Sequence, residues 1–186
     1  MSDTIKLIKT DLYRYCGRLS LVLFLKQYYI NPGFKFMVWH RIAHNTKPKG
    51  KLIYLFPWLM LRRLKIKYGY DIPAETVIGK GFYIGHFGGI VISSKVIIGN
   101  NCNISQGITI GYNSRGKRKG YPKLGDNIYI GPGSVISGNI NIGNNAAIGA
   151  NAVVLDDIPD NAVAVGIPAK IVNSSGSMGY ILNPVV

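Results

Sequence analysis

Residues 124–154 read LGDNIYIGPGSVISGNINIGNNAAIGANAVV, and an aliphatic residue returns every six positions: Leu124, Ile130, Ile136, Ile142, Ile148 and Val154. Neither the 3.6-residue period of a helix nor the two-residue alternation of a strand gives a step of six. The same step runs upstream through Ile98, Ile104 and Ile110 and, before them, Ile78, Ile84 and Ile90; eight of these twelve positions are followed by glycine. The position four residues further on is mostly small or aliphatic, as in Cys102, Ile108, Ser134 and Ala152. A hexad of this kind is a short strand plus a turn. Three hexads close a triangular coil with the aliphatic residues inside, and coils stack about 4.8 Å apart like parallel strands. The predicted fold class is mainly β, a parallel β-helix in which twelve hexads make about four coils.

The period breaks twice. Ile90 to Ile98 is eight residues and Ile110 to Leu124 is fourteen. Counted this way, both insertions leave the prism at one corner. The larger, YNSRGKRKGYPK (112–123), is basic and rich in glycine, and a loop extruded from a strict solenoid is where function is expected.

Before Tyr70 the chain has no repeat. RLSLVLFLKQYY (18–29), FKFMVWHRIAH (34–44) and LIYLFPWLMLRRLKIKY (52–68) read as apolar, basic helices separated by Asn31-Pro32-Gly33 and by residues 45–50, with Pro57 in a first turn or at a kink. The predicted organisation is a helical segment over 1–70, a β-helix over 71–172 and a tail over 173–186.

The 186 residues suit one domain with an appendage, and the net charge of +14 is uneven: 14 Lys/Arg against 4 acids in residues 1–76, 8 against 4 thereafter. Such a surface attracts nucleic acid, anionic lipid, anionic glycans or a polyphosphate ligand. No stacking or helix-turn-helix motif supports nucleic acid as partner. RRLKIK (62–67) beside LIYLFPWLML leaves open a peripheral membrane contact, though an apolar helix face packed on the β-helix is the preferred reading. The longest uncharged run, 52–61, is too short to span a bilayer. Cys16 and Cys102 lie far apart and suggest a reducing, cytoplasmic setting, and the N-terminus does not read as a signal peptide. His40 and His44 have a metal-binding spacing but no acidic or cysteine partner nearby, so no metal is expected. A zinc carbonic anhydrase, which needs three histidines in the β-helix, is excluded because His86 is the only one there.

The hexads, together with HRIAH (40–44), YGYDIPAETVIGKGFYIGHFGGIVI (68–92), YPKLGDNIYIGPGSVISGNINIG (121–143) and IGANAVVLDDIPDNAVAVGIPAKIV (148–172), resemble the left-handed β-helix acyltransferases. The resemblance covers roughly residues 34–172 and is strongest to serine acetyltransferases and their relatives that acetylate sugars of surface polysaccharides. It implies a homotrimer with acetyl-CoA lying between neighbouring prisms, His86 as general base, and Asp71, fifteen positions earlier, orienting it. At eighteen residues per coil the two would lie nearly one above the other. It also implies cofactor contacts at Gly111, Pro132, Ala150 and Lys170, although Pro132 has no N–H and so offers no amide donor.

Two departures bear on the acceptor. Gly85 stands where serine acetyltransferases carry an aspartate, and Gly120-Tyr121-Pro122 replaces their Arg-His-Pro. The resulting expectation is acetylation of a sugar hydroxyl in surface polysaccharide, with Tyr121 offering an aromatic face to a saccharide acceptor. Serine O-acetylation, in cysteine biosynthesis, is the alternative.

Overall fold

The computed structural model describes residues 2–185. Four helices come first: α1 (Ser2–Cys16), α2 (Leu21–Ile30), α3 (Pro32–Thr46) and α4 (Lys51–Tyr68). Ser20 caps α2 by accepting from the Leu23 amide, and Asn31 both ends α2 and caps α3, where Pro32 takes the first turn. Pro57 lies inside α4 and is buried; Gly69, left-handed at φ 67°, ends that helix.

From Tyr70 the chain winds into a left-handed parallel β-helix with three faces. The first face stacks Tyr70–Asp71, Ile90–Ile92, Thr109–Gly111, Val135–Ser137 and Val153–Val154. The second stacks Val77–Ile78, Ile97–Ile98, Lys123–Leu124 and Asn141–Ile142. The third stacks Tyr83–Ile84, Asn103–Ile104, Tyr129–Ile130, Ala147–Ile148 and Val163–Val165, and ends on Lys170–Asn173, which runs antiparallel to Val163–Val165. Ile84, Ile98, Ile104, Ile110, Ile130, Ile136 and Ile148 fill the prism, each almost fully buried. Each such side chain contributes about 1.5–3 kcal/mol of hydrophobic stabilisation.

The register corrects the expectation that both insertions share a corner. Ile84 is matched by Ile104 on the next coil and Ile92 by Ile110, so the two extra residues lie between Ile84 and Ile92. They bulge the corner from the third face to the first, which carries His86. The long loop leaves between Gly111 and Lys123, at the corner from the first face to the second.

The corner from the second face to the third is closed by side chains. Asn101, Asn127, Asn145 and Asn161 are all left-handed, at φ 55–60°. Their amides form a ladder, with Asn101 Nδ2 donating to Asn127 Oδ1 (3.1 Å), Asn127 to Asn145 (2.9 Å) and Asn145 to Asn161 (3.1 Å). Asparagine tolerates this backbone region better than other side chains that are not glycine. A second ladder uses the preceding residues: the Asn100 amide donates to Asp126 Oδ1, the Asp126 amide to Asn144 Oδ1, and the Asn144 amide to Asp160 Oδ1.

The tail returns along this corner. Ser177 donates its N–H to the Asn145 carbonyl and its hydroxyl to that of Asn127, Tyr180 stacks on Tyr129 at 4.1 Å, and Val185 exchanges hydrogen bonds with the Asn101 amide.

A stack of coils has an open strand edge at its base, whose unpaired backbone groups are costly to bury. The helices close it. Arg41 donates to the Ile78 and Gly79 carbonyls and pairs at 3.0 Å with buried Asp11, which accepts from the Phe82 amide. Arg14 reaches the Gly81 carbonyl, and the Tyr15 hydroxyl bridges the N–H and C=O of Ile84. His40 Nε2 and His44 Nδ1, the pair with metal-binding spacing, instead face the Pro73 and Ala74 carbonyls at 3.0 and 2.7 Å. Burial lowers the His40 imidazole to about 3.

Candidate active site

The bulged corner runs Gly85-His86-Phe87-Gly88-Gly89. Its backbone is tied down on both sides: Gly85 N–H donates to the Ile104 carbonyl (3.0 Å), Gly88 N–H to Tyr68, and the Gly88 carbonyl accepts from Gly107. Gly88 and Gly89 take φ of 103° and 65°, which lets the chain turn back onto the first face. His86 and Phe87 therefore project into solvent from a fixed base. Among the described residues the His86 imidazole has no hydrogen-bond partner, so both ring nitrogens are available to a ligand. Gly85 needs no special conformation, and a Cβ built there meets its first neighbour at 3.5 Å. The missing side chain is space beside His86, not a demand of the backbone.

The corner repeats above His86 in each coil. Gln106, Pro132 and Ala150 occupy successive levels, joined by Gly133 N–H to the Gln106 carbonyl (3.0 Å) and Asn151 N–H to the Pro132 carbonyl (2.8 Å). Lys170 pairs with Val165 at the top of the third face, and its side chain is exposed. His86, Pro132, Ala150 and Lys170 are thus brought onto one edge of the prism. Among the described residues, no backbone acceptor takes the N–H of Gln106 or Ala150. This edge offers a base at its foot, open donors along its length and a cation at its head, a donor set that suits an extended ligand with amide carbonyls and terminal phosphates. Sequence reasoning missed Gln106; its signal was Ile104-Ser105-Gln106-Gly107, where the usual glycine after the aliphatic residue is absent.

Three expectations meet a different geometry. Asp71 is matched by Val91, twenty residues on, because the bulge lengthens this coil beyond eighteen. Its carboxylate accepts from Lys65 Nζ at 2.6 Å and does not bond His86. Gly111 and Tyr121 lie at the loop corner, separated from the His86 edge by the width of the first face. The loop itself is folded rather than free. Asn113 and Gly120 exchange backbone bonds at 3.1 Å, and Arg118 pairs with Asp157 at 2.7 Å and Asp156 at 3.5 Å. The Asn141 amide and Arg118 hold the Asp157 carboxyl below its usual range.

Cys102 is buried inside the prism, and burial pushes its thiol up to about 12, so it is no covalent carrier of an acyl group. Among the described residues no group of three His, Cys, Asp or Glu side chains is placed to hold a metal ion.

Residues 121–156 match the model of the bacterial transferase hexapeptide (six repeats) family. The serine acetyltransferase of Synechococcus elongatus is 37% identical over 145 residues, covering 78% of this chain and 59% of that protein. The crystal structure of Neisseria gonorrhoeae serine acetyltransferase in complex with serine superimposes with a TM-score of 0.76 at 30% identity, covering 92% of this chain and 70% of that one. That of Brucella abortus serine acetyltransferase with coenzyme A gives 0.77 at 27% identity, covering 94% and 68%. The chain belongs to the hexapeptide-repeat transferase family. It spans about three fifths of the length of the Synechococcus protein.

These relatives overturn the polysaccharide expectation, since the proteins matched are serine acetyltransferases. The structure gives a physical reason as well. Tyr121 is half-buried against the core, and its ring already meets Tyr112 at 4.8 Å and Lys95 at 5.7 Å.

Proposed function

We propose that the chain transfers acetyl from acetyl-CoA to the side-chain hydroxyl of L-serine. The observation that carries this reading is the His86 edge: one unpartnered imidazole at the foot of a column of exposed backbone, in a chain 37% identical to a serine acetyltransferase. His86 takes the hydroxyl proton as the oxygen bonds to the thioester carbon; the carbon–sulfur bond then breaks and the CoA thiolate takes a proton. A ring nitrogen can accept the proton and return it, which suits His86 to both steps. When bound, acetyl-CoA supplies the activated acyl group. Ala150 and Gln106 would offer backbone N–H groups to its arm and Lys170 a cation to its phosphates, while Pro132 would contribute only shape. Asp71, largely exposed, would act as a positioning residue for His86 on leaving Lys65; exposed ion pairs of this kind hold weakly.

A homotrimer completes this reading. Gly111, Tyr121 and the basic loop lie one face away from His86, so a neighbouring prism's loop corner would close the site.

The test is CoA release from acetyl-CoA with L-serine, followed by a thiol reagent. Wild type is expected to release CoA in proportion to serine, and His86→Ala to lower turnover by about 10²–10⁴ with CoA binding retained. A wild type that binds CoA yet releases none with serine would refute the proposal.

A further inference from the structure

Between Asp11 and Asp71 the chain carries no acidic residue, and this acid-free stretch holds the most exposed apolar side chains of the helical cap. Helix α2 buries none of its residues, although eight of its ten are apolar or aromatic: Leu21 is 74% exposed and Tyr29 76%. Helix α4 buries only Pro57, Leu61 and Leu64 against the rest of the protein. On its outer face Leu52 is 90% and Phe56 62% exposed, with Leu59 and Ile66 continuing the stripe at helical spacing. The packed-helix reading of this segment thus accounts for one narrow stripe only.

The two faces join. Trp39 of α3 lies between them, donating to the Tyr28 hydroxyl of α2 at 2.9 Å and meeting the Phe56 ring of α4 edge-on at 5.7 Å. The rim is cationic and braced on aromatic rings: Lys35 over Tyr28 at 4.9 Å, and Arg62 over Trp58 at 5.7 Å. Arg63 and Lys67 lie beside the same stripe. An apolar strip with tyrosine, tryptophan and basic side chains at its border matches the interface of an anionic bilayer, where leucines enter the acyl boundary and cations meet phosphates. Nucleic acid offers nothing to the leucines. A second copy docked face to face would bring no acid from this stretch to meet the basic rim. No helix among the described residues is long and apolar enough to cross a membrane, so the contact would be peripheral.

We infer that the joined α2–α4 face docks the protein on a lipid surface bearing anionic headgroups. The proposal does not depend on the acceptor or on His86.

Cosedimentation with vesicles tests it, using equal phosphatidylglycerol and phosphatidylcholine in one set and phosphatidylcholine alone in the other. Wild type is expected to sediment with the anionic set, at least tenfold more than with the neutral one, and to come off at about 1 M salt, where charges are screened beyond roughly 3 Å. Arg62→Gln with Arg63→Gln should weaken binding about fivefold per charge removed. Leu52→Glu with Leu59→Glu should abolish it while the far-UV spectrum and melting temperature stay those of wild type, both side chains being exposed. Equal partition onto both sets, no sedimentation, or unaltered binding by the glutamate variant each overturn the inference. So does a fall in oligomeric mass of that variant without vesicles, which would give the face to a second copy.

Discussion

Two corners of the same prism solve the same turn in opposite ways. At the asparagine corner Gly81 takes the left-handed position of the first coil and each coil above it contributes one left-handed Asn, whose side-chain amides hydrogen-bond from rung to rung, so the polar groups are used within the stack. At the His86 corner the left-handed positions on the first three coils are Gly89, Gly107 and Gly133, at φ 65°, 73° and 71°. Glycines leave no side chain to close the edge, and two inserted residues push His86 outward from it. The first corner uses its hydrogen-bonding capacity for stability; the second leaves it available to a ligand. A repeat fold can host chemistry where its repeat is interrupted, because its remaining coils hold the interruption in place.

The comparison can be broken most sharply by making the corners alike. Deleting Phe87 and Gly88 restores the regular coil length and should leave a folded prism by circular dichroism. Turnover should fall by at least about 10²-fold, the cost of moving a reacting group by an ångström or so. If the shortened chain kept its activity, the bulge would be decorative. Next in size, Asn127→Ala removes the central rung, costs Asn101 Nδ2 and Asn145 Oδ1 one partner each, and puts a Cβ-only side chain at φ 56°. A loss of about 1–3 kcal/mol is expected from denaturant unfolding, with CoA release unaffected. Asn127→Gly should recover part of it by relieving the backbone.

His40, in the cap, gives an effect confined to acid pH, with a defined sign. Its folded value is lowered to about 3 from 6.5, so below pH 6.5 the unfolded chain takes up a proton that the folded chain refuses until about pH 3. Stability should fall across that window by about 1.4 kcal/mol per pH unit, and His40→Gln should flatten the slope by that amount in unfolding titrations. The smallest effect expected is that of Lys65→Met, which frees Asp71 of its exposed partner. Turnover should shift by no more than about fivefold, upward if Lys65 competes with His86 for the carboxylate.

The isoleucine ladder was legible because burial repeats every six residues and nothing else in the chain does. The position of the bulge was not. Each hexad has two inward positions, and Ile90 and Ile92 are both isoleucine and both buried; counting from Ile90 moves the extra residues past the corner they belong to. His86 stood out through a resemblance and through its isolation, and Asp71 through the same resemblance; that Asp71 pairs with Lys65 of the helical cap was beyond reach of either. The basal cap was beyond reach, since Asp11, Arg14, Tyr15 and Arg41 bond to strands some seventy residues or fewer away in sequence and show no period. Tyr121 was visible as an aromatic residue, but its tilted contact with Tyr112 depends on how the loop folds back on itself.

Because every coil rises by the same step, the edge above His86 is graduated. Ala150 stands three levels above it, about 14 Å at about 4.8 Å per coil, and Lys170 lies beyond. The count of coils, not the identity of any one residue, therefore fixes how far a ligand must reach from base to cation. Inserting or excising one coil would change the molecule's gauge while preserving the rung-to-rung contacts of the remaining coils.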